Sequence, residues 1–230
     1  MADQFASLKC LDLDGLQRVF GDELAGHEQD ARRELRGDRA YRRTLTKRTM
    51  VDARQTANAV AHIGRLPAPG ETIHLVCAGG YSLYHHIEAV LQIAAPVTIR
   101  YLGIATLGFS RENLERLIAL LDAGTIGRLD FLYSVYFRSN EREICERLAH
   151  ELTTRGQRVL SMRTHCKLLL IELGDGRDAY TIESSANLRS CKNLEQSTFT
   201  NHVGLLQFHR RWLDELFQGG SNEPQNDRRA

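Results

Sequence analysis

The run Arg163-Thr164-His165-Cys166-Lys167-Leu168-Leu169-Leu170-Ile171-Glu172 decides how the chain is read, together with Ser184-Ser185-Ala186-Asn187 and Asn193-Leu194-Glu195 further on. Side chains alternate across a strand, so His165 and Lys167, two residues apart, leave one face while Cys166 points to the other. An imidazole and an ammonium then converge on one spot. The apolar residues 168–171 drive this strand into a core, and Gly174-Asp175-Gly176 is turn chemistry that reverses the chain. Residues 179–183 return as a second strand and deliver Ser184, Ser185 and Asn187 to the mouth where His165 and Lys167 open. Hydroxyls and an amide beside a cation suit an oxyanion with two or three exposed oxygens.

Spaced in this way, the residues resemble the signature of the phospholipase D superfamily: His-x-Lys, four residues, Asp, then Gly-Ser-x-Asn. His165, Lys167, Ser185 and Asn187 match it. Asn193 and Glu195 resemble the Asn-x-Glu that follows in small nuclease-type members. Glu172 stands where the family has Asp, and Ser184 where it has Gly. The gap between those two is longer than in the family, and the extra residues fall in the hairpin, where added length costs little. The likeness extends in organisation over residues 71–217, with its specific motifs confined to 165–195.

The resemblance implies a metal-independent, two-step phosphodiester transfer with no cofactor. One histidine attacks phosphorus and forms a phosphohistidine; another protonates the leaving oxygen and later activates water. Carried onto this sequence, the catalytic residues are His165, Lys167, Asn187 and Glu195, with Glu195 orienting the imidazole. Ser184, Ser185 and Asn193 bind substrate, and Glu172 supports the motif. The family's chemistry uses two copies of the motif, whereas His-x-Lys occurs once here. The resemblance therefore implies a homodimer whose two-fold axis passes through a shared site. Nuclease-type relatives imply a nucleic-acid substrate. A phospholipid or another small phosphodiester is the alternative within the same chemistry. A catalytically weak nucleic-acid-binding module, motivated by Glu172 and Ser184, is the alternative outside it.

The chain has 230 residues, 42% of them hydrophobic, which suffices for one sizeable α/β domain plus an extension. A net charge of +1 neither requires nor excludes nucleic acid, because distribution matters more than the total. That distribution is uneven. Residues 28–48 hold Arg32, Arg33, Arg36, Arg39, Arg42, Arg43, Lys47 and Arg48 against Glu28, Asp30, Glu34 and Asp38, eight bases to four acids. Such a segment reads either as an arm for phosphates or as a solvated or dimer-spanning helix. Five cysteines without a Cys-x-x-Cys pair argue against a disulfide framework or a structural zinc site. The histidines at 74, 85 and 86 fit no metal-site spacing. Charges within the first twenty residues break any signal-peptide core, and no apolar run approaches a bilayer span, so a cytoplasmic protein is expected.

Along the chain, residues 11–24 have helical spacing, and a long charged helix is expected from residue 28 past Val60. Leu66-Pro67-Ala68-Pro69-Gly70 marks a boundary. Buried strands follow at 73–78, 97–101 and 129–136. They alternate with a helix carrying Leu83 to Ala94, one capped by Ser110, and one capped by Asn140 with Glu143 and stopped near Gly156. Residues 158–163 lead into the His165 strand, and a helix over about 203–217 closes the core. The expected fold class is α/β, a mixed, largely parallel sheet flanked by helices on both faces, with an N-terminal helical extension. The expected division is a partly basic extension at 1–70, a catalytic domain at 71–218 and a disordered tail at 219–230.

Overall fold

The computed structural model describes residues 47–174, 176, 178–189 and 193–219. The helix expected over 11–24, most of the basic segment and the tail after 219 lie outside the described residues.

The described chain opens with helix α1 (Lys47–Ile63) and the edge strand β1 (Thr72–Ala78). Helix α2 (Tyr84–Ile93), strand β2 (Ile99–Thr106), helix α3 (Arg111–Asp122) and strand β3 (Ile126–Ser134) follow. A short helix α4 (Val135–Asn140) leads directly into α5 (Arg142–Thr154) and strand β4 (Arg158–Met162). The hairpin β5 (Leu168–Leu173) and β6 (Ala179–Ser184), strand β7 (Leu194–Asn201) and helix α6 (Val203–Gly219) complete the fold.

One seven-stranded sheet takes the order β1-β7-β6-β5-β2-β3-β4. The α/β class and the mixed sheet agree with the sequence expectation; the pairing is less parallel than expected. Among the described strands only β2 with β3 and β3 with β4 pair in parallel, and the other four pairings are antiparallel. The cause is an insertion. β1, β2, β3, β4 and β6 all run in one direction, but β7, β6 and β5 are laid between β1 and β2, so the crossover through α2 joins strands that are not neighbours. As a result β1 is an edge strand with only Leu75 buried, rather than the buried strand its apolar sequence promised.

Helices cover both faces. Ile87 and Val90 of α2, Leu114 and Leu117 of α3, and Leu148 and Leu152 of α5 pack on Ile104, Phe131, Leu169, Ile182 and Phe199, joined by Ala59 and Ile63 of α1. On the opposite face Leu206, Leu213 and Phe217 of α6 cover Tyr101, Ala105, Leu132, Leu168 and Leu170. Burial of this apolar surface is the main term holding the layers together. Ser110 caps α3 as its sequence predicts, accepting a hydrogen bond from Asn113 N at 3.2 Å. Asn140 does not cap α5. It ends α4, and its amide donates back to Tyr136 O at 3.1 Å. Gly156, with φ of 68°, follows the end of α5.

This topology gathers one edge of the sheet into a mouth. The C-terminal ends of β1, β2, β3, β4 and β6 and the N-terminal ends of β5 and β7 all lie there. The connection from Met162 to Leu168 runs from the β4 edge to β5, past the ends of β3 and β2, and it carries His165.

Candidate active site

His165 and Lys167 lie in the extended connection before β5, not within the strand, as their spacing had implied. The alternation persists there because the ladder reaches one residue past the strand, with Ser184 N donating to Lys167 O at 3.0 Å. Lys167 Nζ stands 3.0 Å from His165 Nδ1 and donates to His165 O at 2.9 Å. The two groups therefore meet as expected, at an exposed edge. Lys167 is half-buried, and that burial pushes its pKa below the ordinary lysine value, against an opposing pull from Glu195 and Cys166.

Ser185 and Glu195 form the next link. Ser185 N donates to Gln196 O at 3.0 Å and its Oγ accepts from Gln196 N at 3.0 Å, which ties the end of β6 to β7. The same hydroxyl donates to Glu195 Oε2. Glu195 thus reaches Lys167 electrostatically and Ser185 by hydrogen bond, while the contact at His165 Nδ1 is made by Lys167. Ser184 turns inward. Its Oγ donates to Gln196 O at 2.9 Å, lies 2.8 Å from Ser197 Oγ and accepts from Ala186 N at 2.9 Å. It shapes the loop that carries Ser185 and Asn187.

Asn187 accepts from Leu107 N at 3.3 Å through Oδ1, and its backbone carbonyl accepts from Leu83 N at 3.1 Å. The motif loop is thereby pinned to the loops that follow β1 and β2. With Oδ1 held, the Asn187 amide hydrogens have no other partner among the described residues. Asn193 is exposed just before β7.

Glu172 lies five residues beyond Lys167, about 16 Å further along β5. Its buried carboxylate is clamped between Arg100 of β2, at 2.8 Å, and Arg210 of α6, at 2.5 Å. It holds strand, neighbour and covering helix together at the end opposite the mouth. Neither arginine could be paired with it from sequence, since they stand 72 and 38 residues away.

Two histidines that invited a metal reading are interior groups. His85 Nδ1 accepts from Ser82 N at 3.0 Å, and His86 Nδ1 is 3.2 Å from Leu83 O. Burial drives their pKa values down to about 3 and about 4. Among the described residues no group of three or more His, Cys, Asp or Glu could hold a metal ion, and no helix is long and apolar enough to cross a membrane. Sequence reading missed Tyr136 and Arg189. Tyr136 reads as a strand end from the sequence; it is 60% exposed on α4 at the mouth, two residues after a strand that stops at Ser134. The Arg189 guanidinium is exposed beside it.

The site is thus an open sheet edge with an imidazole, an ammonium, a carboxylate-held serine and an asparagine, on an α/β fold. Solved structures similar to the chain include polyphosphate kinase from Porphyromonas gingivalis, at 15% identity and a TM-score of 0.48 over 70% of this chain and 27% of that one. Another is phosphatidylserine synthase from Haemophilus influenzae, at 16% identity and a TM-score of 0.44 over 77% of this chain and 47% of that one. The chain spans less than half the length of either protein. No family model and no curated protein sequence matches it.

Proposed function

We propose that the protein is a phosphodiesterase of the phospholipase D type, a metal-independent nuclease working through a phosphohistidine at His165. The observation that carries this reading is the 3.0 Å approach of Lys167 Nζ to His165 Nδ1, at an open edge beside Ser185 and Asn187. In the resting arrangement an ammonium donating to Nδ1 leaves the ring hydrogen on Nε2. A phosphate oxygen competes for Nζ. Once the ammonium turns to it, Nδ1 can take the ring hydrogen and Nε2 can attack. A bond then forms from Nε2 to phosphorus as one ester oxygen leaves and takes a proton. Water subsequently cleaves the P–N bond and restores the imidazole. Lys167 and the Asn187 amide hold the non-bridging oxygens while charge builds.

The acid that protonates the leaving oxygen is the second His165 of a homodimer, because the sequence holds one His-x-Lys. The experiment is hydrolysis of a chromogenic phosphodiester and of plasmid DNA in excess chelator, for the wild type beside His165→Ala, with light scattering at the same concentration. Turnover that needs His165 in a dimer supports the reading. Equal rates for the two proteins remove the enzyme, and an active monomer removes the shared site.

A further inference from the structure

A cleft of about 160 Å³ opens at the same sheet edge, between the loop after β2 and helix α4. Leu107 and Gly108 form one side, Tyr136, Phe137, Asn140 and Glu141 the other, and Arg189 closes it. We propose that this cleft is a nucleobase subsite for the nucleotide flanking the phosphate at His165, which makes the substrate single-stranded nucleic acid. The proposal rests on the phosphodiesterase reading for the phosphate position alone.

Its floor is built rather than accidental. Phe137 is buried, and a Cβ added at Gly108 would stand 2.6 Å from the Phe137 ring, so the two cleft-lining residues pack directly against each other and residue 108 must stay without a side chain. The wall is Tyr136, an aromatic ring 60% exposed on a backbone fixed by Tyr136 N donating to Ser134 Oγ at 3.3 Å. An exposed ring beside the proposed phosphate site suits a stacking platform, and stacking tolerates any base because every base has a π-face.

The polar groups fit the same ligand. Arg189 follows Leu188, whose carbonyl accepts from Asn113 Nδ2 at 2.8 Å and from Ser110 N at 3.3 Å. It is therefore a guanidinium on an anchored backbone, and among the described residues no ion pair neutralises it. Asn140 gives one amide hydrogen to Tyr136 O and keeps Oδ1 for a base edge, where Glu141 adds a second acceptor. A lipid chain would have to lie against Arg189, Asn140 and Glu141, which disfavours it.

Placement links the cleft to the motif. Asn187 Oδ1 holds Leu107 N, so the phosphate loop and the cleft wall share a hydrogen bond. β5 and β3 are two strand spacings apart, about 10 Å. One nucleotide of an extended strand bridges such a distance. A base can enter the cleft only after leaving its stack, which selects single strands over duplex.

The test uses the full-length His165→Ala protein, which binds without turning over, and fluorescence anisotropy with a short single-stranded oligonucleotide, its abasic counterpart and a duplex. The base-bearing single strand is expected to bind at least about tenfold more tightly than the abasic one. Tyr136→Ala should abolish that preference, Tyr136→Phe should keep it, and Arg189→Ala should weaken both ligands. Equal affinity for abasic and base-bearing strands overturns the proposal. So does an equal loss for both in Tyr136→Ala, preference for duplex, or no binding. Loss of wild-type phosphodiester turnover with base-dependent binding intact would instead sink the hydrolase and leave the subsite standing.

Discussion

The two ends of β5 handle charge in opposite ways. At the far end Glu172 is buried and held by Arg100 and Arg210, so every charge there has a partner from another element. At the mouth Lys167 is partly desolvated against an imidazole, and Glu195 with Cys166 offsets part of the cost. A charge fully paired within the fold serves stability; one desolvated beside an open edge is poised for an outside anion. β5 thus carries a structural carboxylate, and the residue just before it is a candidate catalytic cation. Substitutions at the two ends should separate into effects on chemistry and effects on folding.

The largest effect belongs to the mouth. His165→Ala should lower phosphodiester turnover by at least about 10³-fold while leaving the unfolding midpoint in urea within error. A comparable loss of stability would erase the distinction between the ends.

Next comes a third way of handling charge, which is to avoid it. His85 and His86 stay neutral in the interior because their folded pKa values, about 3 and about 4, lie below the ordinary 6.5. As pH falls below 6.5 the unfolded chain takes up protons that the folded chain refuses, so stability is lost from there down toward the folded values. Between pH 7.5 and pH 5 the pair should cost about 2–4 kcal/mol, measured by urea titration at each pH. Replacing His86 with Gln should flatten the slope.

At the far end, Glu172→Gln should cost about 1–2 kcal/mol, less than a fully buried pair because Arg100 reaches solvent. Activity per folded molecule should be unchanged. A selective loss of activity would show that the two ends are coupled.

The smallest effect is a shift in a pH profile. In the proposed mechanism Lys167 holds phosphate only while protonated, and burial places its titration below the ordinary 10.5. The alkaline limb of turnover should therefore fall below that value. Glu195 raises the lysine pKa, so Glu195→Gln should move the limb to still lower pH.

Much of this was legible in the sequence where the determinants are local. The two-residue spacing of His165 and Lys167 placed both on one side even though they precede the strand. The glycine turn gave the β5–β6 hairpin, and Ser110 gave its helix cap. What was not legible depends on distant partners. β1 reads as a buried strand from its own residues, yet three later strands push it to the edge. Asn140 has the spacing of a cap, but α4 and α5 abut, and its side chain turns back to Tyr136. Ser184 reads from the sequence as a ligand for substrate, and the partners its hydroxyl meets, Gln196 and Ser197, come from β7. Tyr136 and Arg189 are 53 residues apart in sequence and meet only through the loop that Leu188 anchors.

The central claim is tested most directly by trapping the intermediate. The full-length protein is mixed with a short phosphodiester, quenched in alkali during turnover, and mapped by tandem mass spectrometry. The account predicts a phosphoryl adduct on the His165 ring, still bearing one ester group, and none in His165→Ala. An adduct on a different residue, or unchanged turnover without His165, would contradict it.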